Sequence, residues 1–200
     1  MKYAIIGSGL VGATLARFFA AKNIPVVIAN LRGPETLGEL TAELGAGVKA
    51  VTVAEAVKAD IILVAVGALA FKDVGALRKD WSGKIVVDIT NGFMLPPEAQ
   101  RAEYQGRLTS EVNAERVPGA KLVKAFNQLP FKVLASPLPD DVGRRVVFVS
   151  SDHEDASATV AALVESLGFA AIEVGKIAEG GRLIQGRAPL VFQNLIKYPI

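Results

Sequence analysis

A glycine-rich stretch near the N-terminus constrains the fold of this chain more than any other feature. It follows a short apolar run, residues 3–6, and matches the pattern G-x-G-x-x-G with Gly7, Ser8, Gly9, Leu10, Val11 and Gly12. Apolar residues then recur with helical spacing up to Lys22, and a second apolar run occupies residues 25–29. A strand, a glycine turn, a helix and a second strand in this order predict a βαβ unit.

The three glycines of this turn indicate what it binds. Gly7 permits a tight turn, Gly9 lets a pyrophosphate approach the backbone, and Gly12 lets the helix pack closely on the strand. The free N–H groups and the dipole at the start of the helix favour an anion. We therefore predict a dinucleotide site here, in preference to a glycine turn that serves only packing.

The end of the second predicted strand indicates which dinucleotide is bound. NAD-binding chains usually place an acidic residue there, which accepts hydrogen bonds from the ribose 2′-hydroxyl. This chain has the neutral Asn30, followed by Arg32, whose guanidinium suits a phosphate. The nearest acid, Glu35, follows Pro34 and is typical of the first turn of a helix. We predict NADP(H) rather than NAD(H), with Asn30 and Arg32 at the 2′-phosphate.

The rest of the chain alternates short β-rich runs with helical segments. Strands are predicted at 3–6, 25–29, 48–51, 61–66, 84–89, 121–124, 145–149 and 170–174, and helices at 9–22, 35–44, 53–58 and 154–167. Strands separated by helices predict an α/β fold with a doubly wound, mostly parallel sheet of the Rossmann type. We expect one domain over residues 1–200, with a core at 1–136 and a C-terminal extension at 137–200 that adds two strands.

Ligands of such sheets lie beyond the carboxyl ends of the strands. The segments expected there contain Ala65 and Val66, Asn91, and Ala125 to Asn127. They offer amides and backbone groups but no Ser-His-Asp set, carboxylate pair or metal cluster, so we assign no catalytic residue and no metal. This inventory can orient a nicotinamide while the cofactors carry the hydride chemistry.

Three other residues call for an interpretation. His153, the only histidine, precedes two acidic residues and is interpreted as part of a helix N-terminus. Asp88 ends a buried strand, and a hydrogen-bonded turn explains it at least as well as chemistry does. Trp81 is interpreted as a packing residue at a helix end.

Composition excludes several classes of function. The net charge of +2 and the lack of a Lys/Arg block argue against nucleic acid as a partner. Cysteine is absent, which excludes disulfides and thiolate metal sites and suits a cytoplasmic protein. The apolar run at 61–71 is shorter than the roughly 18 residues that span a bilayer, so we expect no membrane association.

With these residues in view, the chain resembles the coenzyme F420-dependent NADP oxidoreductase family. The resemblance is carried by the glycine turn, the Asn-x-Arg segment at 30–32, the runs 86–91 and 123–127, and the segments 180–183 and 189–190 near the end. It implies a deazaflavin co-substrate and places the nicotinamide near Ala65, Asn91 and 125–127. Many relatives have a proline where this chain has Gly67. Some relatives continue further, so we expect the deazaflavin pocket to be shortened or completed by another subunit.

Several functions remain open from the sequence. The leading hypothesis is a reductase that passes hydride between NADPH and a deazaflavin, FMN or FAD, with a small-molecule electron acceptor or donor as its partner. The alternatives are a reductase of a small carbonyl or imine substrate and a non-enzymatic NADP(H) sensor. The apolar tail, residues 182–200, is expected either to cover the cleft and the sheet or to pack on a second copy, and we expect a homodimer.

Overall fold

The computed structural model describes residues 1–139 and 141–198, which form nine strands and nine α-helices. The strands are β1 (Tyr3–Ile6), β2 (Val26–Ala29), β3 (Val48–Ala50), β4 (Ile61–Val64), β5 (Ile85–Asp88), β6 (Lys121–Ala125), β7 (Arg144–Ser151), β8 (Ala170–Glu173) and β9 (Ile196–Lys197). The helices are α1 (Leu10–Ala21), α2 (Gly38–Leu44), α3 (Val53–Ala56), α4 (Phe71–Gly75), α5 (Pro97–Tyr104), α6 (Thr109–Glu115), α7 (Phe131–Ala135), α8 (Glu154–Ser166) and α9 (Gly180–Leu183).

The sheet has the strand order β3-β2-β1-β4-β5-β6-β7-β8, and β9 pairs with β7. Strands β1 to β6 are parallel, and the order reverses between β1 and β4, which is where ligands of doubly wound sheets bind. Strand β7 runs antiparallel to β6, and β8 runs parallel to β7. The predicted Rossmann-type sheet with a C-terminal extension is confirmed.

Helices cover both faces of the sheet, as the continuously apolar strands require. Every residue of β4 is buried, and its side chains point alternately into two clusters. On one face, Leu15 and Phe19 of α1 pack in the same cluster as Val160 of α8. On the other face, Ala56 of α3 packs with Phe71 of α4. The helix α1 begins four residues after the carboxyl end of β1 and packs on one face of the sheet.

The structure differs from the predicted elements mainly in the short helices. Helices α4 to α7 and α9 contain four to eight residues, too few for an apolar period to stand out, and the sequence analysis did not predict them. The predicted helix at 35–44 begins as a 3-10 turn, Pro34–Leu37, before α2. The predicted strand at 61–66 ends at Val64, where the chain turns over the glycine loop.

The C-terminal segment is partly buried on the extension. Ile184 packs with Val146 and Phe148 of β7, and Val191 is also buried. Strand β9 adds a short antiparallel pairing to β7. Leu195 and Phe192 remain exposed, so this segment covers the extension only in part. No helix in the described ranges is long and apolar enough to cross a membrane.

Candidate functional site

The turn between β1 and α1 has the geometry that the glycine pattern predicts. Gly7 has φ +111°, and a Cβ added to it would lie 2.2 Å from the carbonyl oxygen of Ala65. A Cβ on Gly12 would lie 1.9 Å from the carbonyl oxygen of Gly7. Because neither position has room for a side chain, these two glycines are required by the fold itself.

Gly9 differs from the other two glycines of the turn. A Cβ placed on it would meet no atom within 4 Å. Gly9 is the N-cap of α1, no side chain caps the helix there, and the first turn contains no acidic residue. The first N–H groups of α1 therefore face open space without a capping side chain, which is the arrangement that binds a phosphate.

The loop after β2 is tied to the glycine turn through Asn30. The Asn30 amide donates to the hydroxyl oxygens of Ser8 at 2.8 Å and Thr36 at 3.0 Å, and its Oδ1 accepts from the Arg32 N–H at 2.8 Å. Both amide hydrogens are thus used inside the protein, so Asn30 positions this loop. Its predicted contact with a 2′-phosphate stays a prediction.

Arg32 is exposed and Asn30 is largely buried beneath it. The interpretation of Glu35 as a first-turn residue is confirmed, because Pro34 and Glu35 begin the 3-10 turn that precedes α2. No acidic side chain follows β2 directly, and the guanidinium of Arg32 is available for a phosphate.

The residues predicted around a nicotinamide come together at the carboxyl ends of β4, β5 and β6. Ala65 lies against Gly7 and Gly12, and a Cβ on Gly7 would be 3.3 Å from the Val66 side chain. Asn91 donates from its amide to the carbonyl oxygen of Asn127 at 2.9 Å.

Asn127 makes a second hydrogen bond to Asn91 and also contacts the C-terminal segment. Its amide donates to Asn91 Oδ1 at 3.2 Å and to the carbonyl oxygen of Ile184 at 2.6 Å. Asn127 Oδ1 is buried and has no hydrogen-bond partner in the described part of the chain. Ala125 is fully buried, so only its backbone can serve the site. These contacts join β5, β6 and the segment after α9 at one edge.

A buried ion pair that the sequence analysis missed lies directly beneath this edge. Lys124 of β6 is 1% exposed, and its ammonium nitrogen lies 3.2 Å from a carboxylate oxygen of Asp88, which is fully buried on β5. The Asp88 carboxylate also accepts hydrogen bonds from Thr90, Ser110 and Asn113. A lysine in the middle of an apolar strand, in register with the aspartate of its neighbour, was the signal that could have revealed the pair.

The surroundings of this pair set its charge state. Burial would raise the pKa of the Asp88 carboxyl, but the Lys124 ammonium and the hydrogen bonds from Thr90 and Ser110 outweigh burial and hold that pKa below its ordinary value. Burial lowers the pKa of Lys124, although Asp88 opposes the shift. Asp88 makes the hydrogen bond of a turn residue, because its carboxylate accepts from the backbone N–H of Thr90, just before Asn91.

Beyond Asn91 the chain encloses a cavity of about 500 Å³. Its wall includes Phe93, Tyr104 and Gln185, and it also carries three arginines that the sequence analysis did not single out: Arg101, Arg107 and Arg187. Arg187 lies 80 residues beyond Arg107 in the sequence, and only the fold brings it to Arg101 and Arg107.

His153 and Trp81 lie in the surroundings that the sequence analysis predicted for them. His153 is the N-cap residue of α8, and Glu154 and Asp155 form the acidic first turn. Trp81 is fully buried after α4 and donates from its indole nitrogen to the carbonyl oxygen of Gly75 at 3.1 Å. Within residues 1–139 and 141–198, no group of three or more His, Asp or Glu side chains could hold a metal ion.

The fold and this edge together define a dinucleotide-binding oxidoreductase domain. A family model described as "NADP oxidoreductase coenzyme F420-dependent" matches residues 2–92. The chain is 45% identical to a hypothetical protein from Sinorhizobium meliloti, with a TM-score of 0.92 over 98% of this chain and 96% of that chain. It is also 26% identical to a candidate F420-dependent NADP reductase from Arthrobacter sp. FB24, with a TM-score of 0.70 over 89% of this chain and 86% of that one. Residues 2–92 of the chain thus match the coenzyme F420-dependent NADP oxidoreductase family.

A longer curated protein also matches. The chain is 30% identical over 179 residues to metalloreductase STEAP3 from Rattus norvegicus, across 88% of this chain. The chain spans about a third (34%) of the length of that relative. An imine reductase from Pseudomonas sp. has a TM-score of 0.60 at 21% identity, with 88% of this chain and 55% of that chain covered, a likeness that shows the fold alone.

Proposed function

We propose that this protein is an NADP(H)-dependent reductase that passes hydride between NADPH and a flavin-like or deazaflavin acceptor. The observation that carries the proposal is the turn at Gly9, where N–H groups without a capping side chain face open space beside an exposed Arg32. The match of residues 2–92 to an NADP oxidoreductase family model supports the same cofactor.

The residues divide the binding of NADP(H) between two ends of the site. The backbone from Ser8 to Val11 binds the pyrophosphate, since the first turn of α1 offers free N–H groups and no competing acid. Arg32 binds the 2′-phosphate, and Asn30 holds the loop that presents it. Ser8 joins the two parts, because its hydroxyl oxygen accepts from Asn30.

The other end orients the reacting ring. Asn91, Asn127 and the backbone near Ala65 and Ala125 border the place of the nicotinamide, and the unpartnered Asn127 Oδ1 suits an amide donor there. NADP(H) supplies a transferable hydride at this position. The site supplies alignment with the acceptor, which is the main requirement of a transfer between two cofactors. We assign no acid or base.

The test is the oxidation of NADPH, followed by absorbance at 340 nm, with a deazaflavin, FMN or FAD as the acceptor. We expect turnover with at least one of them and much weaker activity with NADH. If NADPH is oxidised with none of the three acceptors, the proposed function is wrong. An Asp155→Asn variant, changed at an exposed pair far from the glycine turn, is the control for general damage.

A further inference from the structure

The cavity beyond Asn91 lies next to the proposed hydride-transfer edge. It is bounded by the 3-10 turn Gly92–Met94, by α5, by the start of α6 and by residues 185–187. A Cβ on Gly92 would lie 2.6 Å from the Thr109 hydroxyl oxygen and 2.7 Å from the Tyr104 ring. The cavity therefore opens one residue beyond Asn91, and the missing side chain of Gly92 lets its walls approach.

The charged residues that line this cavity are all positive. Arg101 comes from α5, Arg107 from the loop before α6, and Arg187 from the C-terminal segment. No acidic residue is among the described residues that line it. Guanidinium groups converging from three separate elements form a site for a phosphate or a carboxylate.

The three arginines differ in how they are held. Arg107 makes two hydrogen bonds to Glu115, at 2.5 and 3.2 Å, which fix its guanidinium in place. Arg101 and Arg187 have no ion-pair partner anywhere in residues 1–139 and 141–198. Two positive charges in one cavity are thus left without a protein counter-charge.

An aromatic wall lies between this cavity and a second recess, which is mainly apolar but is also lined by Arg187. Phe93 borders both, and its ring meets that of Phe192 edge to face at a centroid distance of 5.9 Å. Met94 and Phe192 are 73% and 59% exposed, respectively, although both are large and apolar. A planar ring near Asn91 would therefore find an aromatic wall on one side and the arginine cavity beyond it.

We propose that the arginine cavity binds an anionic tail of the hydride acceptor, so that the acceptor is a planar heteroaromatic molecule with a phosphate or carboxylate group. This inference rests on the proposed function. In the reaction, a hydride leaves C4 of the nicotinamide, the acceptor ring gains two electrons and takes a further proton from water, and NADP⁺ remains. The arginines take no part in this chemistry and act by holding the tail.

FMN and riboflavin provide the test, because they share one ring and differ by a phosphate. With NADPH saturating, we expect the KM for FMN to be roughly ten times lower than that for riboflavin, the size expected of one charged phosphate contact. In an Arg101→Gln/Arg187→Gln variant the KM for FMN should rise until the two KM values are nearly equal. Arg182→Gln, at an exposed arginine outside the cavity wall, is the matched control and should keep the preference for FMN.

A binding measurement separates this inference from the proposed function. Quenching of FMN and riboflavin fluorescence by the NADP⁺-loaded protein gives both dissociation constants without turnover. Equal constants in the wild type, no binding of FMN, or a preference for FMN that survives the double variant would overturn the inference. If FMN binds more tightly through the arginines yet NADPH is never oxidised, the anion site stands and the proposed function falls.

Discussion

We propose that Arg32 decides the choice between NADPH and NADH. It is exposed on a loop that Asn30 fixes from below, so removing its guanidinium should leave the loop and the fold intact.

Replacing Arg32 with alanine should weaken the binding of NADPH by roughly 1.5–3 kcal/mol, the usual value of a charge-assisted hydrogen bond, and leave that of NADH almost unchanged. Fluorescence titration with both dinucleotides measures the two effects. Equal losses for NADPH and NADH would contradict the role given to Arg32. Arg17→Ala, at an exposed arginine of α1 that is paired with Glu43, is a suitable control.

Lys124 is the residue whose loss should cost the most stability. Replacement by methionine leaves the Asp88 carboxylate buried without its cation, which we expect to lower the free energy of unfolding by about 3–5 kcal/mol at neutral pH. Lys121→Met on the same strand breaks an exposed pair with Asp155 and should cost less than about 1 kcal/mol. Urea unfolding of the two variants makes the comparison.

The pH dependence of the Lys124→Met variant follows from the shifted pKa of Asp88. In the wild type the folded pKa of Asp88 lies below its unfolded value of about 3.9, so its stabilising effect is present at neutral pH and is lost as the pH falls through the folded pKa. Without Lys124, burial raises the pKa of Asp88 in the folded variant. Protonation of Asp88 as the pH falls then removes the cost of an unpaired buried charge. The stability gap between the two proteins should therefore narrow from pH 7 towards pH 4. A constant gap would show that the cost comes from packing rather than from charge.

At the scale of the element, two glycines of the β1-turn-α1 unit have different roles: one is required by the fold, and we propose that the other makes room for the cofactor. Gly12 lets α1 approach the carbonyl oxygen of Gly7, whereas Gly9 borders open space. Replacement by alanine should therefore lower mainly the stability of the protein at Gly12 and mainly its NADPH binding at Gly9.

Gly12→Ala should destabilise the protein by about 1–3 kcal/mol or more, because the added methyl group overlaps a backbone carbonyl. Gly9→Ala should change the unfolding free energy by less than about 1 kcal/mol and yet weaken NADPH binding at least roughly tenfold, since the methyl group occupies the place of the pyrophosphate. Thermal melts and NADPH titrations of both variants test the pair. If the Gly9→Ala variant binds NADPH normally, the pyrophosphate does not bind at this turn.

At the scale of the whole molecule, the C-terminal segment connects the extension to the site. The carbonyl oxygen of Ile184 accepts a hydrogen bond from Asn127, and Gln185 Oε1 accepts one from the backbone N–H of Ser110. Arg187 then joins the cavity wall. A segment far from the glycine turn in sequence thus helps to form the wall of the cavity beyond Asn91.

We propose that the protein is a homodimer, because apolar side chains of this segment remain exposed although others are buried. Leu183 is 43% exposed, Leu195 42% and Tyr198 63%. Size-exclusion chromatography with light scattering should give twice the mass of one chain, and a Leu195→Ser/Tyr198→Ser variant should shift the protein towards the monomer. A wild-type mass equal to one chain at micromolar concentration would contradict the homodimer and show that these side chains are exposed to solvent in a monomer.

A cytoplasmic location and a single domain over residues 1–200 stay predictions from the sequence. The sheet continues without interruption from β6 to β7 across the predicted boundary near residue 137. The proline-rich residues 137–139 lie within the described part, and Asp140 lies outside it.

Most of the fold could be predicted from the sequence because its signals are local. The glycine spacing, the apolar runs at 61–64 and 85–88 and the missing acid after β2 each lie within a few neighbouring residues. Local backbone preference and burial set such features, so a doubly wound sheet with an NADP-type turn could be derived from them. Short helices such as α5 and α6 were missed because stretches of seven or eight residues show no clear period.

Only the tertiary structure decided which distant side chains meet. The pairing of Lys124 with Asp88 depends on the register of β5 against β6, and the joining of Arg101, Arg107 and Arg187 depends on where α5 and the C-terminal segment pack. Such contacts are set by burial and by electrostatic compensation across the chain, which no local pattern records. The sequence by itself thus determined the glycine turn and the loop after β2, whereas packing at long range decided which side chains line the cavity beyond Asn91.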